Sequence, residues 1–489
     1  MKRTKNPAKE AEYRKRATDL VAQMTLHEKV SQMLSWAPAI ERLGIPAYNW
    51  WSEGIHGIGR AGTATVFPQA IGMAAAFDED MMEQVGNAVG VEARGKYNMC
   101  RAHGDRDIFK GLTVWAPNIN IFRDPRWGRG HETYGEDPFL TGRLGVRFVE
   151  GMQGDDPDYL QAAACAKHFA VHSGPESDRH HFNAIVSKQD LWETYLPAFR
   201  ALVKEAGVEA VMGAYNRTNG EPCCGSKTLL KDILRDKWHF DGIVVSDYFA
   251  ISQLYSYHHL VENKTDAIAQ ALSSGVDSEL PNTDCAAEPL LDGVREGKID
   301  MELLNQSVRH ILKLKFELGL FENPFVDPDA AAAEFDTAED RAAARKIAQE
   351  SMVLLKNDGT LPLKENKTIA VIGPNADDIR AIYGDWTYFS HPVPKENVTP
   401  MGDYYTIRRG MEEVFGKENI LYSKGCDILG EENYIDDAVK IAEKADVVVC
   451  VIGDCLAQNG EYRDRADLEL SGYQTKLVKR LIDTKKPVI

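Results

Sequence analysis

The chain of 489 residues is 44% apolar and 27% charged, a composition typical of a globular protein with two or three domains. Lysine and arginine number 57 against 74 for aspartate and glutamate, so the formal net charge is −17. A surface this acidic repels phosphate backbones, which argues against a nucleic-acid partner. The sequence also holds no apolar run near the ~20 residues that a membrane-spanning helix needs, which argues against a membrane partner.

The first twenty residues are charged throughout and lack the apolar stretch of a signal peptide. The eight cysteines include no C-x-x-C pair, so they form neither a zinc framework nor a dense disulfide scaffold. Reduced thiols are the rule inside the cell. The sequence therefore predicts a cytoplasmic protein.

Short apolar runs alternate with amphipathic stretches from about residue 60 to residue 320. This alternation predicts strands that are joined by helices and therefore pair in parallel. A region of this length favours an α/β fold of the (β/α)8 type, a TIM barrel. The clearest runs predicted as strands are 113–118, 162–167, 208–212, 242–247 and 275–280, and the clearest helices are 188–205 and 226–238.

Polar or charged residues stand where these apolar runs stop. In a TIM barrel the carboxyl ends of the strands carry the chemistry, so such residues are candidates for a site. One of them alone could merely end its strand and meet water, whereas several in register favour a functional site. The residues concerned are Asn118, Lys167, His168, Tyr215, Asn216, Asp247 and Glu279.

A domain boundary is predicted soon after residue 320, where prolines and a run of alanines are typical of a linker. Beyond it a helix is predicted near 340–355. Apolar runs at 369–375 and 445–453 are typical of buried parallel strands in an open α/β sheet. We therefore expect a TIM-barrel-like domain over residues 1–325, a linker over 326–345 and an α/β sandwich domain over 346–489.

Asp247 ends the apolar run GIVVSD. A carboxylate that emerges from a buried strand is desolvated on one side and exposed on the other, which suits a nucleophile that attacks an electrophilic carbon. The alternative is that Asp247 caps the next helix. This segment alone leaves both interpretations open.

Lys167 and His168 stand side by side at the end of another predicted strand. Two neighbouring donors could hold adjacent hydroxyls of one sugar or polarise a carbonyl group. Lys167 could instead form a Schiff base. A third interpretation is a core histidine beside a solvated lysine.

Two polar loops are further candidates. The loop 123–138 is dense in charges, aromatic residues and glycine, so it needs internal ion pairs to be ordered. Ordered loops on the rim of a barrel usually build sites. The loop 459–465 follows a predicted strand and carries Glu461, a candidate general acid. A solvated loop charge is the other interpretation of Glu461.

Several short motifs follow one another along nearly the whole chain. They are WWSEGIHG at 50–57, FPQA at 67–70, the loop 123–138, AKHF at 166–169, MGAYNRTNG at 212–220, VSD at 245–247 and LLKNDGTLPL at 354–363. In this order they resemble glycoside hydrolase family 3, the β-glucosidase and β-xylosidase group. Each motif is moderately specific alone, and their joint order makes a chance match very improbable.

The resemblance implies a retaining, exo-acting β-glycosidase that releases a terminal non-reducing β-D-glucose or β-D-xylose by double displacement. No metal or organic cofactor is implied. Asp247 would be the nucleophile, and Glu461, from the second domain, would be the acid/base. The residues that would bind the substrate are Glu53, Arg129, Lys167, His168, Tyr215 and Tyr248.

The implied substrate is an oligosaccharide or an aryl or alkyl β-glycoside, and a homodimer stays open. Two features point to different sugars. Glu53, beside Trp50 and Trp51, resembles the xylosidase side of the family, where a longer carboxylate leaves less room for a hydroxymethyl group. Tyr248 resembles the aromatic residue that follows the nucleophile in glucosidases. Both sugars therefore remain candidates.

Three other functions stay open. A Schiff-base lyase built on Lys167 would leave Asp247 and Glu461 unexplained. A non-catalytic glycan-binding module would need a lost carboxylate, yet both candidates are present. A β-N-acetylhexosaminidase of the same family usually works from the barrel alone, and the long second domain argues against it.

The last five residues, 485–489, look like the opening of a strand. Members of the resembled family continue beyond this point. We therefore expect the second domain to be truncated, with an exposed sheet edge that favours aggregation.

Overall fold

The computed structural model describes residues 3–281, 284–322, 330–331, 333–364, 367–387, 404–430 and 433–489. Contacts divide the chain into two compact units. The first unit comprises Met1–Asp124 and Arg129–Met352, and the second comprises Pro125–Gly128 and Val353–Ile489. Residues 326–329 and 332 of the predicted linker lie outside the described residues.

The first unit is built on a curled parallel sheet. The strands of this unit are β1 (Trp36–Ala37), β2 (Tyr48–Asn49), β3 (Thr113–Val114), β4 (Ala163–Phe169), β5 (Asn183–Ala184), β6 (Ala210–Gly213), β7 (Arg217–Thr218), β8 (Glu221–Pro222), β9 (Ile243–Tyr248) and β10 (Ser278–Leu280). The sheet runs in the order β10-β9-β6-β4-β3, and each neighbouring pair is parallel. All five predicted strands are confirmed. Their residues are almost entirely buried, as apolar runs covered on both faces should be.

The segment 34–52 bridges both edges of this sheet. Leu34 forms a parallel bridge with Glu279 of β10, and Ser52 forms one with Val114 of β3. Between these bridges β1 and β2 pair antiparallel. The stretch between β1 and β2 is shorter than the dozen or so residues that a parallel crossover needs. Within the described residues, the barrel-like sheet therefore has five regular parallel strands and one antiparallel pair instead of eight uniform repeats.

Helices connect the strands of the first unit, and the two helices singled out in the sequence are confirmed. The stretch 188–206 is helical apart from a bend at Leu196, with π-helical turns at Leu191–Tyr195 and Leu202–Ala206. A third π-helical segment is Lys227–Lys237, where Ser226 Oγ accepts the Leu229 N–H at 3.0 Å. The α-helices are Pro7–Gln23, Leu26–Gln32, Ala70–Ala74, Glu79–Ala102, Pro138–Gln153, Lys188–Asp190, Pro197–Ala201, Ala250–Ser256, Lys264–Ser274, Glu288–Arg295, Met301–Glu317 and Ala338–Glu350.

The second unit holds a smaller parallel sheet of β11 (Ile369–Ile372), β12 (Ile420–Ser423) and β13 (Val447–Cys450), in the order β12-β11-β13. Both strands predicted for this region, β11 and β13, are confirmed, and β12 is an addition. Val488 bridges Val448 in parallel. The α-helices of this unit are Ile379–Tyr383, Ile407–Phe415, Ile435–Lys444 and Gln474–Asp483. None of the helices that the structure describes in either unit is long and apolar enough to cross a membrane.

Lys315 is a fully buried lysine in the helix Met301–Glu317. Its Nζ donates to Gln32 Oε1 at 2.7 Å and to the Pro46 carbonyl at 3.2 Å. Burial lowers the pKa of Lys315 to about 7, because the charged ammonium is removed from water.

We expect the Lys315→Met variant to lose part of the pH dependence of stability. Between pH 7 and about 10.5 the unfolded chain keeps the Lys315 proton that the folded protein has released. The free energy of unfolding contributed by this residue therefore rises with pH, by about 1 kcal/mol per pH unit. Urea unfolding at pH 7, 8 and 9 measures the difference between wild type and variant. Parallel curves would contradict this expectation, and the exposed Lys227→Met serves as the control.

Candidate active site

The carboxyl ends of β4, β6 and β9 meet at one edge of the sheet, because these neighbouring strands are parallel. Lys167 and His168 lie near the end of β4, Tyr215 follows β6, and Asp247 lies near the end of β9. The structure brings these side chains together, with Glu53, Arg129 and Tyr248 joined to them by the contacts described below.

Asp247 is 4% exposed. Its Oδ1 accepts the backbone N–H of Tyr248 at 2.8 Å, and its Oδ2 lies 3.9 Å from His168 Nε2. The backbone therefore fixes one oxygen of the carboxylate, while the other faces the imidazole across a gap longer than a hydrogen bond. The helix-capping alternative does not describe this geometry, because no side chain caps the helix Ala250–Ser256 that follows.

His168 is a buried, neutral imidazole. Asn120 fixes its orientation: the Asn120 amide donates to the His168 carbonyl at 2.9 Å, so its Oδ1 is left to accept from His168 Nδ1 at 3.0 Å. Burial, followed by the positive charge of Arg129, lowers the pKa of His168 well below its usual value. Since Nδ1 carries the proton, Nε2 carries the lone pair and can only accept a hydrogen bond.

Arg129 and Glu132 form a buried, two-pronged ion pair within the polar loop 123–138. Arg129 Nε donates to Glu132 Oε1 at 2.7 Å and its Nη2 to Oε2 at 2.8 Å. Burial alone would raise the pKa of Glu132, but the guanidinium outweighs it and holds that pKa far below its usual range. Nη2 of Arg129 also lies 3.4 Å from His168 Nε2. The loop thus has the internal ion pair that its sequence required, and this pair holds Arg129 beside His168.

Glu53 lies in a second group of contacts at the same edge. Its Oε1 accepts the indole N–H of Trp51 at 3.0 Å, and its Oε2 lies 3.8 Å from Lys167 Nζ. The Trp51 ring packs on the Tyr248 ring with centroids 4.3 Å apart. Trp51 therefore connects the Glu53 carboxylate to the residue that follows Asp247.

Tyr215 is buried among aromatic and cationic groups. It packs in one apolar cluster with Cys224, Ala250 and Tyr248. The guanidinium of Arg179 lies 5.0 Å from the centroid of its ring. Tyr215 thereby joins the same set of contacts through Tyr248.

Glu461 belongs to the second unit, where it lies in a tight turn. Arg463 donates its backbone N–H to the Gly460 carbonyl at 3.1 Å, and the same two residues form an antiparallel bridge. Tyr462, next to Glu461, adopts a φ of 70°, in the left-handed region. The side chain of Glu461 is half-buried.

One group among the described residues has the spacing of a metal site: Glu279, Asp284 and Cys285 each place a ligand atom within 4.8 Å of the others. The buried Glu279 carboxylate already accepts the N–H groups of Cys285 at 3.1 Å and Ala286 at 2.7 Å. Asp284 already pairs with Lys264. These contacts explain why the three residues lie close together: they form a hydrogen-bonded turn.

Comparison with known protein families covers both units. The N-terminal domain of glycosyl hydrolase family 3 matches residues 16–314, and the C-terminal domain of that family matches residues 352–489. The chain belongs to glycosyl hydrolase family 3. The resemblance read from the short motifs is therefore confirmed, as is the two-domain α/β architecture that it implied.

Curated relatives carry xylosidase names. The chain is 40% identical over 428 residues to a xylan 1,4-beta-xylosidase of Xylanibacter ruminicola, covering 86% of this chain and 48% of that protein. It is 36% identical to beta-D-xylosidase 3 of Arabidopsis thaliana, covering 95% of this chain and 60% of that protein. The chain thus spans about half to three-fifths of the length of these relatives.

Solved structures of the family include both sugar specificities. A GH3 exo-beta-xylosidase (XlnD) in complex with a xylobiose aziridine probe matches with a TM-score of 0.87 and 29% identity, over 97% of this chain and 61% of that one. A beta-glucosidase from Listeria innocua in complex with isofagomine matches with a TM-score of 0.83 and 29% identity, over 97% and 68%.

Proposed function

We propose that this family 3 chain is an exo-acting, retaining β-glycosidase that releases a terminal non-reducing β-D-xylose or β-D-glucose. The observation that supports this proposal is the buried Asp247 carboxylate at a strand end, with its Oδ2 3.9 Å from Nε2 of a neutral His168. The backbone N–H of Tyr248 holds this carboxylate in place at 2.8 Å. The carboxylate can therefore act as a nucleophile.

In the proposed mechanism an Asp247 oxygen attacks the anomeric carbon, while Glu461 protonates the departing glycosidic oxygen. The bond from the anomeric carbon to the leaving group breaks as the bond to Asp247 forms. Water, deprotonated by Glu461, then attacks the same carbon and releases both the sugar and the Asp247 carboxylate. Two inversions at one carbon give net retention.

The groups around Asp247 include both hydrogen-bond donors and hydrogen-bond acceptors for sugar hydroxyls. Nε2 of the neutral His168 accepts a hydroxyl hydrogen, whereas Lys167 and Arg129 donate. The Glu53 carboxylate accepts from a further hydroxyl. A neutral sugar with several adjacent hydroxyls satisfies this mixture of donors and acceptors. The Schiff-base alternative is less favoured, because the Lys167 ammonium is buried beside the Glu53 carboxylate.

We propose xylose as the preferred sugar and glucose as the second. The hydrogen bond to Glu53 and the contact with Tyr248 fix the position of the Trp51 indole ring beside the carboxylate. An indole ring fixed beside Glu53 leaves less room for the hydroxymethyl group that glucose carries and xylose lacks. The xylosidase names of the curated relatives support the same order.

A panel of four nitrophenyl glycosides tests this proposal. We expect kcat/KM on the β-xyloside to exceed that on the β-glucoside by about tenfold, since excluding one small group changes binding by 1–3 kcal/mol. The kcat/KM on the α-arabinoside should rank below these two, and the β-N-acetylglucosaminide should not be hydrolysed. Dominant activity on the last substrate would instead establish the hexosaminidase alternative. Borohydride trapping of an adduct on Lys167 would establish the lyase. A cytoplasmic location and a homodimer stay predictions from sequence.

A further inference from the structure

A short strap of the polar loop, residues 125–128, packs within the second unit although its neighbours on both sides in the chain belong to the first. Two hydrogen bonds attach it to the loop that carries Glu461. Arg465 donates its backbone N–H to the Arg126 carbonyl at 2.9 Å, and Gly128 donates its N–H to Asp464 Oδ1 at 3.1 Å. These partners are more than three hundred residues apart in sequence, so the pairing is a specific tertiary contact.

Gly128 meets the Glu461 turn with no room for a side chain. A Cβ placed on Gly128 would lie 1.5 Å from the Arg463 carbonyl oxygen and 2.7 Å from the Gly460 carbonyl oxygen. Both neighbours are backbone atoms, which cannot rotate away as the end of a flexible side chain can. The close approach therefore requires glycine at position 128.

The two carbonyls that Gly128 touches lie on either side of Glu461. They belong to Gly460 and Arg463, the residues that also close the turn with a 3.1 Å backbone hydrogen bond. Arg463 is held from its other end, since its Nη1 donates to the Leu456 carbonyl at 2.6 Å. Arg465 forms an ion pair with Asp454. The turn is thus fixed on one side by its own loop and on the other by the strap.

We propose that Gly128 and Asp464 are positioning residues for Glu461. The inference rests on the proposed function, in which Glu461 is the acid/base. Glu461 is half-buried on a turn of only four residues, so the backbone of that turn sets where its carboxyl group points. The strap holds this backbone through the Gly128 contact and the Asp464 hydrogen bond. Neither residue contacts the reacting atoms, and both act through Glu461.

The Gly128→Ala variant tests this role with two substrates. Xylobiose has a leaving group that needs a proton, whereas 2,4-dinitrophenyl β-xyloside has one that does not. We expect kcat/KM on xylobiose to fall about 100-fold, since misplacing a catalytic group by about 1 Å costs a factor of that order. The loss on the dinitrophenyl substrate should be less than about tenfold, because acid catalysis contributes little there.

Asp464 provides the second variant and its rescue. Asp464→Ala removes the acceptor for the Gly128 N–H and should show the same selective loss, about tenfold on xylobiose. Asp464→Asn keeps an oxygen at that position and should behave as wild type. Gly410→Ala, in the helix Ile407–Phe415 with open space around its Cβ, is the matched control and should change neither rate.

The outcomes separate this inference from the proposed function. Equal losses on both substrates, or none, in Gly128→Ala and Asp464→Ala would overturn the positioning role. If Gly128→Ala does not fold, as judged by circular dichroism and thermal melting, Asp464→Ala with its asparagine rescue decides the question. If Glu461→Ala itself shows no selective loss, the acid/base assignment of the proposed function fails. If Glu461→Ala shows the selective loss but Gly128→Ala and Asp464→Ala do not, only the positioning role fails.

Discussion

The Asp247→Ala variant is expected to lose at least about 10⁴-fold in kcat on every β-glycoside tested, because the covalent step has no other nucleophile in the proposed mechanism. The fold should survive the substitution. Asp247 Oδ1 accepts the N–H of Tyr248, the next residue in the chain, and Oδ2 lies 3.9 Å from the neutral imidazole of His168, beyond hydrogen-bond distance. Initial rates and thermal melting of the same preparation measure the two effects.

Asp277 is the matched control, since it is another buried aspartate attached to the same sheet. It accepts the Val244 N–H at 2.7 Å, bonds His310 Nδ1 at 3.0 Å and pairs with Arg235. Asp277→Asn should therefore lower the melting temperature, because it weakens a buried charge pair, and the surviving folded fraction should keep its kcat. Asp247→Asn should instead keep the melting temperature and lose kcat. Near-wild-type turnover in Asp247→Ala would refute the nucleophile assignment.

A labelling experiment tests the covalent step directly. A 2-fluoro β-xyloside with an activated leaving group slows the second step more than the first, so the glycosyl-enzyme accumulates. We expect one sugar mass to be added to wild type, located on the peptide that carries Asp247. A label on Lys167 or on another carboxylate would move the nucleophile elsewhere.

The sheet and the location of the candidate site could be predicted because both follow from short-range patterns. Runs such as IVVSD combine β-branched residues with a polar end, which marks a buried strand and the edge where it stops. Parallel pairing then brings Lys167, His168, Tyr215 and Asp247 to one edge. The antiparallel pair of β1 and β2 was not predicted, because a strand of two residues is too short to show an alternation of apolar and polar residues.

The residues that orient the site could not be predicted in the same way. Asn120 fixes His168 from 48 positions away, and no pattern in the sequence links the two. Glu132 offered a weak signal, since it stands three residues from Arg129 in a loop that needed internal ion pairs. The neutral state of His168 depends on burial and on the charge of Arg129, which are properties of the folded chain.

The strap at 125–128 is the clearest case of information that only the fold supplies. The motif DPRWGR reads as one polar loop, and its glycine reads as a turn residue. In the structure Gly128 has no positive φ to explain it, and it is needed because a distant backbone carbonyl occupies the place of its side chain. A glycine of this kind is indistinguishable in sequence from one that serves a turn.

The Glu461→Ala variant is expected to lose about 10³-fold in kcat/KM on xylobiose and far less on 2,4-dinitrophenyl β-xyloside, since general acid catalysis contributes 10²–10⁴-fold only where the leaving group needs a proton. On the dinitrophenyl substrate the second step becomes limiting, because water has lost its base. Azide needs no base to attack, so it should raise the rate of this variant and yield β-xylosyl azide, and it should leave wild type unchanged.

Glu469→Ala is the matched control for that experiment, because Glu469 is an exposed glutamate nearby in the same unit. It should retain wild-type rates and show no azide effect. The product of azide rescue carries a further argument. A β-configured azide requires two successive inversions, so it depends on both the Asp247 intermediate and the loss of the Glu461 carboxylate. An α-configured azide would mean that azide displaced the leaving group directly, and it would contradict the double displacement as a whole.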